Sequence, residues 1–584
     1  MGLNENSRQN VVYRQWLAFA ALVLVLGCNA SLYRKAADEE VYGILDSRRL
    51  AILGRTKQFR IDAEGSKRTP QDVNGSEIVR NRYSANSGQY WDTSTTGGQQ
   101  KLTLKEALEL AEKGNREYQR RREQLYLKAL VLTDTRHKFA FKFATSSVDL
   151  GIERKSNGKL RGDSDADFTL EKMLKTGGKV SATLANDLVL YFDGKTPKIP
   201  SITLSLVQPL LRGAGADIAA EILTQAERDV IYEVRDFNHY QKDFAVGVVN
   251  DYYSLLQQGE SLRLSYNNYT NRIFFRTEIV ERVRAGLQSE FEAKQALQSE
   301  YSSKLSYIGA TNTYQNSLDA FKQKLSLPLG ERLVLDFSEL EDLKKYGLPA
   351  VPLSDRLGYR LAITNRLDIL NYVDKFEDSK RKVKVARKDL LPSFSILADA
   401  SLKDQFYSSF QPEDFTANAG LKLDLPLDQL SERNAYRRSL INFEAQVRAL
   451  AIRLDSLRDG VRADVRNLAK QRNNYFTQLE ALKNAEENLL ATRQRLRLGF
   501  PGVRTRDIIT AQDALLGAQL AVSSAIVDYQ KTRLKLLKDV GILDTSVKEF
   551  WLRDQPVPGV KVVPPNPAGD DSQKLVSPDE ILKN

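Results

Sequence analysis

The 584-residue chain has almost no cysteine: one, Cys28, which rules out an internal disulfide framework. Histidine is nearly as scarce, with His137 and His239 only, so together with the lone cysteine no metal site is expected. There is no nucleophile elbow, no histidine cluster, no phosphate-binding glycine loop and no carboxylate pair fixed by a motif. No cofactor and no enzymatic activity are therefore expected. No segment reaches 18 uninterrupted apolar residues, and 28% of the chain is charged, which excludes a bundle of membrane helices. Proline is missing between Pro209 and Pro328, between Pro426 and Pro501 and between Pro501 and Pro556. Since proline costs about 3 kcal/mol inside a helix, these gaps permit very long ones.

What is present begins with Arg8 and Arg14, followed by the apolar stretch Trp16 to Gly27. At about 1.5 Å per residue its twelve residues reach about 18 Å, too short to span a bilayer but suited to a signal-peptide core. The junction "VLGC" resembles the bacterial lipobox, which implies cleavage before Cys28 and acylation of that residue. The expected division is a signal peptide over 1–27 and a lipid-anchored, flexible polar extension over 28–100.

Net charge is +11. Basic and acidic residues alternate in stretches such as "RLDSLRDGVRADVR" (453–466), the pattern of solvated or inter-helix faces, so no nucleic-acid partner is expected. Apolar residues recur at helical spacing, as in Leu223, Ala226, Val230, Val234 and Phe237, and again in Leu450, Leu454, Leu457, Val461 and Val465.

The chain also repeats itself. "LELAEKGNREYQ" (108–119) matches "GYRLAITNRLDIL" (358–370), and "VRAGLQSEFEAKQALQSEY" (283–301) matches "LRLGFPGVRTRDIITAQDALLGAQ" (496–519), setting Gly286 opposite Gly499. Each repeat reads helix, strand, strand, long helix, turn, helix. The expected boundaries are 101–345 with strands in about 139–211, 346–545 with strands in about 391–427, and a Pro-rich tail over 546–584. The strands alternate polar and apolar residues, which suits a membrane barrel or a sheet with one wet face. The first repeat carries an extra β-like segment, 155–199, expected outside the common core as an enlarged hairpin or strand extension.

This order, twice over, resembles the TolC-like outer-membrane efflux proteins across about residues 100 to 545. The resemblance is carried by Gly499, Asp507, Ile508, Ile509, Ala511, Gln512, Asp528, Tyr529 and Gly541, by "TNRLDIL" (364–370) and by "LPSFSI" (391–396). It implies a mainly helical protein with a β-barrel part: a homotrimer in which four strands per protomer build a twelve-stranded transmembrane barrel and long helical hairpins build a tunnel. It implies an exit duct in the cell outer membrane, serving an inner-membrane pump through a periplasmic adaptor in efflux or type I secretion. A coiled-coil scaffold lipoprotein in the periplasm is the competing expectation. By the resemblance the helix turns form a tip that meets the adaptor, at Gly286, Leu287, Gln288, Ser289, Glu292, Gly499, Arg504 and Thr505, with Asp507 charging the aperture.

Overall fold

The computed structural model describes residues 30–54, 58–62, 101–154, 160–191, 198–330, 332–349, 351–403, 415–500 and 502–552. Cys28, the signal segment and most of the Pro-rich tail lie outside the described residues. The chain is mainly helical, in two compact units; the first contains Arg120–Phe237 and Asn371–Leu450, the second Asn238–Leu370 and Ala451–Asn584. No described helix is long and apolar enough to cross a membrane.

Helices α1 (Ala30–Leu53), α2 (Leu104–Gly114) and α3 (Arg116–His137) precede the strands. Behind them come α4 (Ala216–Ala219), α5 (Glu221–Arg284), α6 (Glu290–Lys324) and α7 (Ser338–Tyr346). The later half has α8 (Asp355–Asn365), α9 (Leu367–Lys388), α10 (Leu430–Arg497) and α11 (Thr505–Asp539). The proline-free gaps indeed hold α5, 64 residues, and α10, 68 residues. At 1.5 Å per residue each is about 100 Å along its own axis. The order short helix, helix, strands, long helix, helix occurs twice.

In the first unit lies one antiparallel sheet of β2 (Lys142–Arg154), β3 (Leu160–Met173), β4 (Lys179–Tyr191), β5 (Lys198–Pro209), β7 (Ser393–Lys403) and β8 (Phe415–Asp424), in that spatial order. The four strands expected from the resemblance are thus six. The extra segment does not lie outside the common core: it forms β3 and β4, inserted between β2 and β5 and paired on both sides. The reason is length and turn chemistry. The alternation runs long enough for two strands of 14 and 13 residues, and a tight turn reverses the chain, with Leu174 N–H donating to Gly178 C=O at 2.7 Å. Gly177 has φ +94°, and a Cβ there would lie 2.3 Å from the Gly213 carbonyl oxygen, so the turn admits only glycine. Thr176 C=O also accepts from Gly215 N–H at 3.1 Å, fixing the hairpin to the loop after β5.

The polar extension is not flexible throughout: residues 30–53 form α1, which buries Val41, Ile44 and Leu45. Tyr126 of α3 donates to Asp38 at 2.7 Å, and Arg48 pairs with Glu227 of α5 at 3.5 Å. Helices α5 and α9 are joined by a polar network around buried Asp378, which accepts from Tyr232 Oη at 2.5 Å and from Arg381 at 2.7 Å.

The second unit holds a two-stranded parallel pair, β1 (Lys101–Leu102) with β6 (Val334–Leu335). Its core gathers Leu102, Leu104, Tyr252, Leu256, Phe321 and Trp551. Here the junction between α2 and α3 binds the end of α6, and the junction between α8 and α9 binds the end of α11. Asn115 Nδ2 donates to Lys324 C=O at 2.8 Å, and Arg366 donates to Asp539 C=O at 3.3 Å.

Candidate functional site

The sheet has two chemically distinct faces, and strand register sets them in rows. Phe168, Leu184, Ile202, Leu402 and Phe415 stand side by side across five strands. The next row on this face is Leu170, Ala182, Leu204, Ala400 and Ala417. These apolar side chains are not covered: Leu204 is 53% exposed, Leu421 70% and Leu423 56%. A continuous exposed apolar surface of this kind marks contact with a membrane or a partner.

The opposite face is hydroxylated and polar. One row is Thr169, Thr183, Thr203, Ser401 and Thr416; another is Glu171, Ser181, Ser205, Asp399 and Asn418. The hydroxyls of Thr169 and Thr183 lie 3.1 Å apart. Lys142 and Lys179 flank Glu171 at 2.9 and 2.6 Å, tying β2, β3 and β4 together. Val207 and Leu397, paired with each other, interrupt the polar face near one end. Among the described residues β2 and β8 are edges, each leaving a row of backbone N–H and C=O groups unpaired. Such edges demand pairing or cover.

The second candidate lies in the other unit, where the two helix turns meet. Gly286 and Gly499 have φ +72° and +71°. In both turns the glycine and its successor close the helix: Leu287 N–H donates to Arg282 C=O at 2.9 Å and Phe500 N–H to Arg495 C=O at 3.1 Å. Both are left-handed glycine caps. Each following helix then starts under an acid at its third position. Glu292 accepts from Ser289 N–H at 3.3 Å, and Asp507 from Arg504 N–H at 2.9 Å.

The turns also touch one another. The other Glu292 oxygen accepts from Thr505 N–H at 3.4 Å, and Thr505 Oγ1 lies 3.4 Å from Gln288 Oε1. Thr505 is fully buried, and beneath it Phe275, Ile279, Ala296, Leu496 and Ile508 form a small core. Gln288, Glu292 and Thr505 are therefore brought together, whereas Leu287, Arg504 and Asp507 face outward. Phe291, Leu498 and Phe500, which the sequence reading passed over, are 68%, 74% and 56% exposed beside them. Their signal was apolar residues at a turn that a buried core would have claimed.

The meaning of "TNRLDIL" is also geometric. Arg366 grips Asp368 with two hydrogen bonds, 3.0 and 2.8 Å, and Arg453 of α10 adds a third at 2.7 Å. Burial opposes the charge on Asp368, but these donors hold its carboxyl well below the usual carboxylate range.

Residues 358–541 match the family model described as outer membrane efflux protein. Over this stretch the chain is similar to that family. Its fold is TolC-like. It resembles the crystal structures of CusC, reported for conformational changes accompanying folding and transmembrane channel formation, with 12% identity, TM-score 0.54, and coverage of 77% of this chain and 95% of that one. The Campylobacter jejuni CmeC outer membrane channel aligns with 15% identity and TM-score 0.54 over 75% of this chain and 85% of its own. The Vibrio cholerae outer membrane protein VceC gives 13% identity and TM-score 0.54 over 75% and 96%. A search of the curated proteins returns no match. The efflux-family stretch covers "TNRLDIL", β7, β8 and the Gly499 turn, the parts on which the sequence resemblance rests.

Proposed function

We propose that the protein is the outer-membrane exit duct of a tripartite efflux or type I secretion assembly. It works as a homotrimer and conducts cargo passively from an inner-membrane pump and a periplasmic adaptor. The observation that carries this reading is the sheet: one exposed apolar face, one polar face and two open edges. An unpaired edge cannot sit in lipid, because no water is there to satisfy it. Six alternating strands leave β2 and β8 antiparallel, so β8 of one copy can pair with β2 of the next and the ring closes without a parallel pair. A periplasmic scaffold would have no use for the exposed apolar face.

The remaining roles follow the same reading. Residues 1–27 are a signal peptide, and Cys28, two residues before α1, bears the acyl chains that anchor the protein to outer-membrane lipid. Residues 101–345 and 346–545 are the two repeats, and 546–584 a tail. The paired turns at Gly286–Glu292 and Gly499–Thr505 receive the adaptor, and the outward apolar residues Leu287, Phe291, Leu498 and Phe500 enlarge that surface. The exposed Asp507 carboxylates form a ring at the aperture and favour cations. Native mass spectrometry in detergent and planar-bilayer recording test this: trimers that conduct are expected. A monomer that keeps its β structure in detergent-free buffer overturns it.

A further inference from the structure

The sheet has six strands, not four, and the face code bears on what the added pair does. On β3 and β4, Phe168, Leu170 and Leu184 continue the apolar rows of β5, β7 and β8, while Thr169, Thr183 and Ser181 continue the polar ones. A hairpin lying outside a barrel would not need to match that code. Nor would its turn be held at Gly177 against the loop after β5, with Thr176 Oγ1 donating to Gln208 Oε1 at 3.1 Å.

Resting on the trimeric duct proposed above, we infer that the β3–β4 hairpin is built into the pore wall, so that three copies close an 18-stranded barrel whose exit takes bulky, hydrated polar cargo. The size follows from elementary geometry. Strands about 4.8 Å apart and tilted by about 40° give a backbone cylinder about 36 Å across for eighteen strands, against about 24 Å for twelve. Side chains take about 5 Å from each wall, half the spacing of packed sheets, leaving about 26 Å against about 14 Å. Barrels of 16–18 strands are those that hold an aqueous channel. The described part of the polar face carries Ser and Thr beside Glu171, Lys142, Lys179, Asp399 and Asn418, all groups that hydrogen-bond to water and to polar solutes.

Electron cryo-microscopy of the full chain in lipid nanodiscs decides the strand count. Eighteen strands with β3 and β4 of every copy in the wall are expected. A trimeric twelve-stranded barrel with the hairpin outside overturns this inference and leaves the duct reading standing; particles without a barrel overturn the duct reading itself. Cysteine accessibility gives an independent readout in membranes, with the unsubstituted protein as the baseline for Cys28. Thr183→Cys should react with a water-soluble maleimide at least about tenfold faster than Leu184→Cys, because only the former faces water. Equal rates would remove the hairpin from the wall. In planar bilayers, poly(ethylene glycol) of about 10 Å hydrodynamic radius added on the barrel side should enter and lower the conductance. Complete exclusion of that polymer refutes the wide exit.

Discussion

Asp368 offers the sharpest test of how the α8–α9 junction is held. Its carboxylate holds Arg366, which in turn donates to the Asp539 carbonyl at the end of α11, and it holds Arg453 of α10. The side chains of Asp368 and Arg366 are 10% and 11% exposed. Replacing Asp368 by Asn keeps the shape and removes the charge that two guanidinium groups share, leaving Arg366 the more distant Asp539 carboxylate at 3.9 Å. Breaking a buried pair from one side costs about 3–5 kcal/mol, and the partial exposure of Arg453 favours the lower end, about 3 kcal/mol. At 1.4 kcal/mol per tenfold, local opening of the α8–α9 junction becomes roughly 100-fold more frequent. Hydrogen exchange followed by mass spectrometry on peptides spanning 365–370 reads this directly at pH 7. The pH dependence follows from the depressed carboxyl. A group with a lowered folded pKa stabilises fully above its unfolded value, 3.8, and that stabilisation fades as pH falls below it toward the folded value. The wild type should therefore lose protection here in acid, and Asp368→Asn should lack that part of the response. Unchanged exchange at pH 7, or an identical acid response, would refute the closure role.

Leu204→Arg places a charge on the apolar face and should cost about 2–4 kcal/mol if that face meets lipid, reducing inserted trimer on heat-modifiability gels; Ser205→Arg on the other face should assemble normally. Equal behaviour of the two would sink the membrane assignment. Gly499→Val forces a β-branched residue to φ +71° at a cost of about 1–2 kcal/mol or more, although no atom lies within 4 Å to clash. Adaptor cross-linking should fall while the barrel stays inserted, and full-yield cross-linking would remove the turn from the contact. Asp507→Asn should lower cation selectivity without altering trimer formation, read as a shifted reversal potential in a salt gradient. Intact-mass analysis should find a mature chain starting at acylated Cys28; an unlipidated terminus beyond Asn29 would reject the anchor.

Helical spacing, proline gaps and the Gly286 and Gly499 positions are local properties, and they determined the long helices, their ends and the twofold order of elements. A helix is built from neighbours three and four residues apart, and a left-handed cap needs one glycine, so both are written where they act. Alternation likewise marked the 155–199 segment as β-like, but alternation is the same in a central strand, an edge or a detached hairpin. Only tertiary pairing decided that β3 and β4 stand between β2 and β5, because a strand's place is set by its partners, which lie 29 residues apart at Lys142 and Glu171 and 202 apart at Ser201 and Lys403. The same holds for Glu292 and Thr505, 213 residues apart, and for Asp368 and Arg453, 85 apart. Their residue types are ordinary in the chain; distance in space, not in sequence, gives them their charges and hydrogen bonds.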